Sequence, residues 1–188
     1  MSRLTIYADN APQQVLLQTE NSREIIDRLN EYGVNFERWD AAFPITPAST
    51  PEEILNAYAT QIERLKAAGG YQTADVINMS PSHPDKVALR QKFLSEHQHS
   101  EDEVRFFVKG TGMFYLHLNG HVLAVQCCKN DLISVPADTK HWFDMGDAPD
   151  FTCVRLFTNT EGWVAKYTGD KLADAFPKFE DLAVGVAA

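Results

Sequence analysis

The spacing of apolar positions changes near residue 100. Before that point helical patterns alternate with short apolar runs; after it, strand-like segments follow one another closely. Asn21 and Glu24 make a capping pair for a helix with apolar positions Ile25, Ile26 and Leu29, and Gly33 stops it. Thr50-Pro51-Glu52-Glu53 is a stronger start signal, with a hydroxyl at the N-cap and proline at the first helical position. Ile54, Leu55, Tyr58, Ile62 and Leu65 then form one stripe, and Gly69-Gly70 ends the predicted helix. A third helical run covers roughly Asp85 to Phe93, and Pro44 to Pro51 reads as a loop.

Beyond Glu103 the predicted strands are Val104 to Val108, Gly112 to Leu118, His121 to Gln126, Leu132 to Val135 and Phe151 to Phe157. Asn119-Gly120 between apolar runs marks a hairpin. Short strands at this spacing predict an antiparallel sandwich or barrel. The pattern therefore predicts one domain over residues 1–188: a helix-rich region about 1–95, a barrel core about 96–169 and a tail about 170–188. It contains no internal repeat.

Charge narrows the partners. The chain has 17 basic and 26 acidic residues, a formal charge of −9, and no basic cluster, which argues against nucleic acid. No apolar run is long enough to cross a bilayer, and the N-terminal MSRLTIYADNAPQQ is not a secretory signal. Cys127, Cys128 and Cys153 form no CxxC pair, so inert thiols in a reducing cytoplasm are expected.

The chemistry lies in Glu96-His97-Gln98-His99-Ser100-Glu101-Asp102-Glu103. Imidazole and carboxylate suit iron, nickel or zinc, and the absence of thiolate argues against a structural zinc site. On a straight strand His97 and Glu103 would stand ~20 Å apart at ~3.3 Å per residue. A shared ion therefore requires a bend, and Ser100-Glu101-Asp102 has a turn composition. His97 and His99 share a face by alternation, with Glu103 returning from the next strand. A fourth ligand is available at His141, which follows Leu132 to Val135 and would be presented at the end of a proline-led turn. Arg105 lies on the Glu103 face by parity. His83, His117 and His121 are read as non-ligands, and Phe106, Phe107, Trp142 and Phe143 as core.

His97-x-His99-x3-Glu103-x6-Gly110 resembles the first cupin motif, and Pro136 with His141 resembles the second. Gln91, Asn130 and Asp138 stand where cupin glycines are usual, and Met145 where asparagine is usual. The segments EHQHSEDEVRFFV, KNDLISVPADTKHWFDMG and RLFTNTEGWVAKYTG instead resemble the acireductone dioxygenases. Weaker similarity covers Phe36 to Asp40 and Tyr71 to Ile77.

That resemblance implies a mainly β protein with an α-helical N-terminal part, built on a cupin jelly-roll β-barrel. It also implies one Fe(II) or Ni(II) per chain, held by His97, His99, Glu103 and His141. The implied reaction is cleavage of the acireductone 1,2-dihydroxy-3-keto-5-methylthiopentene with dioxygen, in methionine salvage. In the family Arg105 helps generate the substrate dianion, Glu96 assists metal loading and Asp102 transmits conformational change. From the residues alone, Glu96 or Asp102 could equally orient a ligating histidine. Arg155 and Trp163 are expected to line the substrate pocket. A monomer is expected. Replacing Arg105 by Ala should spare the metal and slow turnover. The alternatives are another cupin dioxygenase or isomerase, or a non-catalytic cupin module.

Overall fold

The computed structural model describes residues 1–159 and 164–184. Two antiparallel sheets share one long strand. Sheet one runs in the order β11 (Lys166–Tyr167), β5 (His97–Gln98), β9 (Lys140–Asp144), β6 (Glu103–Leu118), β7 (His121–Cys128), β1 (Arg3–Ala8) and β2 (Ala11–Thr19). In sheet two, β3 (Asn35–Arg38) pairs with β8 (Asp131–Val135), β8 with β6, β6 with β10 (Phe151–Phe157), and β10 with β4 (Thr73–Met79). The arrangement is that of a cupin jelly roll, although its sheet is not closed.

The shared strand decides the shape. The sequence predicts two strands, Val104 to Val108 and Gly112 to Leu118, yet β6 is continuous over 16 residues. Its first half pairs with β8 and β10 in sheet two, and its second half with β7 and β9 in sheet one. Between them Gly110 has φ +70°, and the register against β10 shifts between Thr152 and Cys153. The extra residue changes which parity faces inward. Val104, Phe106 and Val108 pack on the outer helical layer, whereas Phe107, Phe114 and Leu116 enter the central core. A side chain at 110 would place its Cβ 1.8 Å from the Asp150 carbonyl oxygen, so this crossing requires glycine.

Three apolar layers follow. Leu4, Ile6, Phe114, Leu123 and Val125 of sheet one meet Ile133, Val135, Phe151 and Cys153 of sheet two, closed at one side by Ile25 and Leu29 of α1 (Ser22–Glu31). The outer face of sheet two is covered by Ile54 of α2 (Pro51–Ala57) and Ile62 of α3 (Ala59–Gly69). The outer face of sheet one is covered by Ala173 of α5 (Leu172–Ala175), Phe176 and Phe179 of α6 (Phe179–Leu182).

Several local expectations hold. Asn21 caps α1, Thr50 and Glu53 form a full capping box, and Asn119-Gly120 makes the β6–β7 turn with φ of 52° and 76°. The run predicted as Asp85 to Phe93 is α4 (Lys86–Leu94). Others change. The single helix expected from Thr50 to Gly69 breaks at Tyr58 (φ −111°, ψ 18°), whose buried ring packs edge-on against Phe106 at 5.2 Å. Residues 1–95 also supply four strands, β1 to β4, beside their helices. No helix among the described residues is long and apolar enough to cross a membrane.

Candidate metal centre

His97 lies on β5 and His99 one residue beyond it, and Ser100 and Glu101 form the bend required by the distance argument. Glu103 then opens β6. His141 differs from expectation: it is the second residue of β9, paired with His97 on one side and Leu116 on the other. The proline-led turn exists just before it, with Asp138 at φ +59° and Thr139 N donating to the Pro136 carbonyl at 3.2 Å. Sheet pairing, rather than a loop, thus fixes this histidine.

The three imidazoles converge, one ligand atom of each within 4.8 Å of the others. Glu103 Oε2 stands 3.1 Å from His99 Nε2 and 3.1 Å from His141 Nε2. All four side chains are buried. Each Nδ1 is held by a main-chain carbonyl: His97 by Ser95 at 2.7 Å, His99 by Val164 at 3.1 Å and His141 by Thr139 at 2.7 Å. A carbonyl only accepts, so Nδ1 carries the proton and the Nε2 lone pair of a neutral ring points inward. Burial, reinforced by the neighbouring His141, pushes His97 down to about 4, so its ring is neutral near pH 7. Burial alone would raise the Glu103 carboxyl, but the Arg105 guanidinium and the neighbouring His141 and His99 outweigh it and hold the group well below its ordinary range. Neutral imidazoles and an ionised carboxylate are the forms that bind a metal, and the nitrogen–oxygen set fits Fe(II) or Ni(II). The thiols lie elsewhere: Cys127 and Cys153 are buried, and burial raises both well above the usual range.

Arg105 is buried, and its Nε donates to Glu103 Oε1 at 2.7 Å. A surface ion pair is therefore excluded as its principal role. Its guanidinium lies 4.7 Å from the ring centroid of Phe143. The centre opens into a cavity of about 510 Å³ lined also by Asp75, Lys92, Phe93, Arg155, Phe157 and Tyr167. A second cavity of about 600 Å³, lined by Met1, Met145 and Phe179, contains no histidine, so chemistry rather than volume identifies the site.

Arg155 lines the first cavity, directly across the sheet from Arg105, with two hydrogen bonds to Asp75 at 2.8 and 2.6 Å. Phe143 belongs to the core and also lines the cavity, a dual placement that its sequence pattern did not indicate. Trp163 lies outside the described residues.

Main-chain carbonyls, rather than Glu96 or Asp102, hold Nδ1 of His97, His99 and His141. Glu96 is buried and hydrogen-bonds to His117 Nδ1 at 2.9 Å and Thr168 Oγ1 at 2.9 Å. Asp102, next to the Ser100–Glu101 bend, accepts from the Ala137 amide at 2.9 Å and so joins the bend to the turn before His141. Asp75, Lys92, Phe93, Phe157 and Tyr167 escaped sequence reasoning because no motif or periodicity links β4, α4, β10 and β11 to the histidines. The cross-strand pairing of β10 with β4 was the missing signal.

Known proteins resemble the chain over almost its whole length. The ARD/ARD′ family profile matches residues 3–165. Acireductone dioxygenase of Hahella chejuensis is 58% identical over 182 residues, covering 97% of this chain and 98% of that protein. The Synechococcus sp. enzyme of the same name is 55% identical, covering 94% and 98% respectively. Among solved structures, acireductone dioxygenase from Bacillus anthracis with cadmium ion in its active center superposes with a TM-score of 0.79 at 34% identity, covering 89% of this chain and 98% of that one. The chain belongs to the ARD/ARD′ family, the acireductone dioxygenases.

Proposed function

We propose that this dioxygenase works with one Fe(II) or Ni(II) ion per chain, held by His97, His99, Glu103 and His141. Its proposed substrate is 1,2-dihydroxy-3-keto-5-methylthiopentene, cleaved with dioxygen in methionine salvage. The Fe(II) form would release formate and 2-keto-4-methylthiobutyrate; the Ni(II) form would release carbon monoxide, formate and 3-methylthiopropionate. The carrying observation is the convergence of three buried imidazoles on Glu103, with Arg105 2.7 Å behind it. When bound, the metal supplies Lewis-acid chemistry and a template for the two reactants.

The chain's own groups supply the rest. Arg105 keeps Glu103 ionised and places a permanent positive charge in a buried site, favouring the deprotonated enediol. Phe93, Phe143 and Phe157 offer apolar surface for the methylthio tail and keep water from the reacting carbons. Arg155, held by Asp75, forms the far wall and adds to the positive field. Glu96, tied to His117 and Thr168, fixes the segment leading into His97 and supports a role in metal loading. Asp102, bonded to the Ala137 amide, supports a role in transmitting movement between the bend and the turn before His141. The chain is proposed to act as a single-domain monomer over residues 1–188. A cytoplasmic location is supported by three free thiols in a chain that forms no disulfide.

The deciding experiment is dioxygen uptake with acireductone by metal-free protein reloaded separately with Fe(II) and Ni(II), with headspace carbon monoxide assayed. Uptake with both metals, and carbon monoxide from the nickel form alone, is expected. One ion bound per chain without uptake would overturn the substrate and the reaction while leaving the metal site standing.

A further inference from the structure

Three cationic side chains line the cavity in front of the metal centre: Lys92, Arg105 and Arg155. Two are already paired with a carboxylate. Arg105 pairs with Glu103 at 2.7 Å and Arg155 with Asp75 at 2.6 Å. Lys92 forms no ion pair among the described residues, and it is solvent-exposed. It therefore stands on the solvent side of the cavity with its charge uncompensated.

Its placement is built into the fold. Lys92 sits in the last turn of α4, beside Phe93, which lines the same cavity. Two residues earlier, Arg90 grips the fully buried Asp144 of β9 with two hydrogen bonds, at 2.7 and 3.0 Å, and reaches Glu180 at 2.7 Å. β9 also carries His141. The helix bearing Lys92 is thus fastened to the strand bearing one arm of the metal centre, which keeps this residue at the edge of the cavity.

An acireductone is an enediol conjugated with a ketone, hence a vinylogous acid that is anionic near neutral pH. The chain carries −9 overall and repels such a molecule at long range. Within about one Debye length, about 8–10 Å in ordinary buffers, the local charge takes over. We propose that Lys92 is the recruiting charge of this site, drawing an anionic reductone through the mouth of the cavity and so setting the efficiency of capture rather than the rate of chemistry. The proposal rests on the acireductone reading above.

The test compares metal-loaded wild type, Lys92→Gln, Lys92→Glu and Lys129→Glu at matched metal content, with acireductone as substrate at low and high salt. Lys129 is exposed and lies away from the metal cavity, so its variant makes the same change in net charge at a different place. At low salt, kcat/KM should fall about threefold for Lys92→Gln and about tenfold for Lys92→Glu, with kcat nearly unchanged. At about 0.5 M salt the differences should shrink to within about twofold, and Lys129→Glu should match wild type throughout. Lys92→Glu behaving like Lys129→Glu, a fall in kcat alone, or a loss that salt does not diminish would each overturn the proposal. Absence of wild-type turnover would remove the acireductone reading and this inference with it. Normal wild-type turnover with unaffected Lys92 variants would remove only the latter.

Discussion

Arg105→Met takes away a guanidinium while keeping an unbranched apolar stem, and its main consequence concerns a proton on Glu103. The Arg105 Nε lies 2.7 Å from Glu103 Oε1, and both side chains are buried. Over about 4 Å between charge centres, at an effective dielectric constant of about 20, their attraction is about 4 kcal/mol. That is several times thermal energy, and it opposes burial, which by itself drives the carboxyl toward its neutral form. Without Arg105 only the neighbouring His99 and His141 still oppose burial, so the Glu103 carboxyl shifts upward and metal-free protein is expected to carry more of a proton there, which a metal must displace. Wild-type Glu103 is already ionised and has no proton to give, and burial keeps wild-type His97 neutral. Extra proton release by the variant thus reports on Glu103 and the imidazoles that touch it.

Calorimetric titration with Ni(II) in buffers of different ionisation enthalpy counts the protons released. Arg105→Met should release more protons per metal than wild type, by up to about one, and its affinity should become correspondingly steeper with pH. Equal proton release would refute the claim that Arg105 sets the charge of Glu103. The expectation drawn from sequence, that removing Arg105 spares the metal, is narrowed accordingly: binding persists but acquires a proton cost, and turnover slows as well.

Three further outcomes follow from the same contacts. Glu103→Ala should lose metal and activity together and leave Arg105 buried without its anionic partner, costing about 3–5 kcal/mol of stability; retained metal, measured by elemental analysis, would exclude Glu103 as a ligand. In the metal-free protein, His97 is held at about 4 against an unfolded value of about 6.5, so the unfolded chain binds the proton first and stability falls as pH drops from 6.5 toward 4, by up to about 3 kcal/mol. Urea midpoints of wild type and His97→Gln across that range test this, and parallel pH profiles would contradict it. Gly110→Ala should cost at least about 2 kcal/mol, since the site combines φ +70° with backbone contact; an unchanged urea midpoint would show that the strand crosses between sheets without needing glycine.

What the amino-acid sequence by itself determined is local. Thr50-Pro51-Glu53 starts a helix because those groups satisfy free amides within one turn, and Asn119-Gly120 turns a hairpin because both residues tolerate positive φ. The bend between His99 and Glu103 was also legible, because six residues of strand exceed the reach of any ligand bonds. His141 was available as a fourth ligand from its place after the proline-led turn, and the resemblance then supported its partnership with the other three.

Tertiary structure decided everything that depends on which strands become neighbours. Gly110 reads as a strand break, yet β6 continues through it and reverses its inward parity, because its two halves have partners in different sheets. His141 reads as the end of a turn, yet pairing with His97 and Leu116 fixes it inside β9. Asp75, Lys92 and Tyr167 lie 22, 5 and 70 residues from His97 along the chain, and only the folded sheets and the Arg90–Asp144 pair bring their elements around one cavity. Local chemistry restricts dihedral angles and charge states residue by residue. Long-range pairing is selected by burial summed over the whole core, so the cavity wall was not written in any single segment.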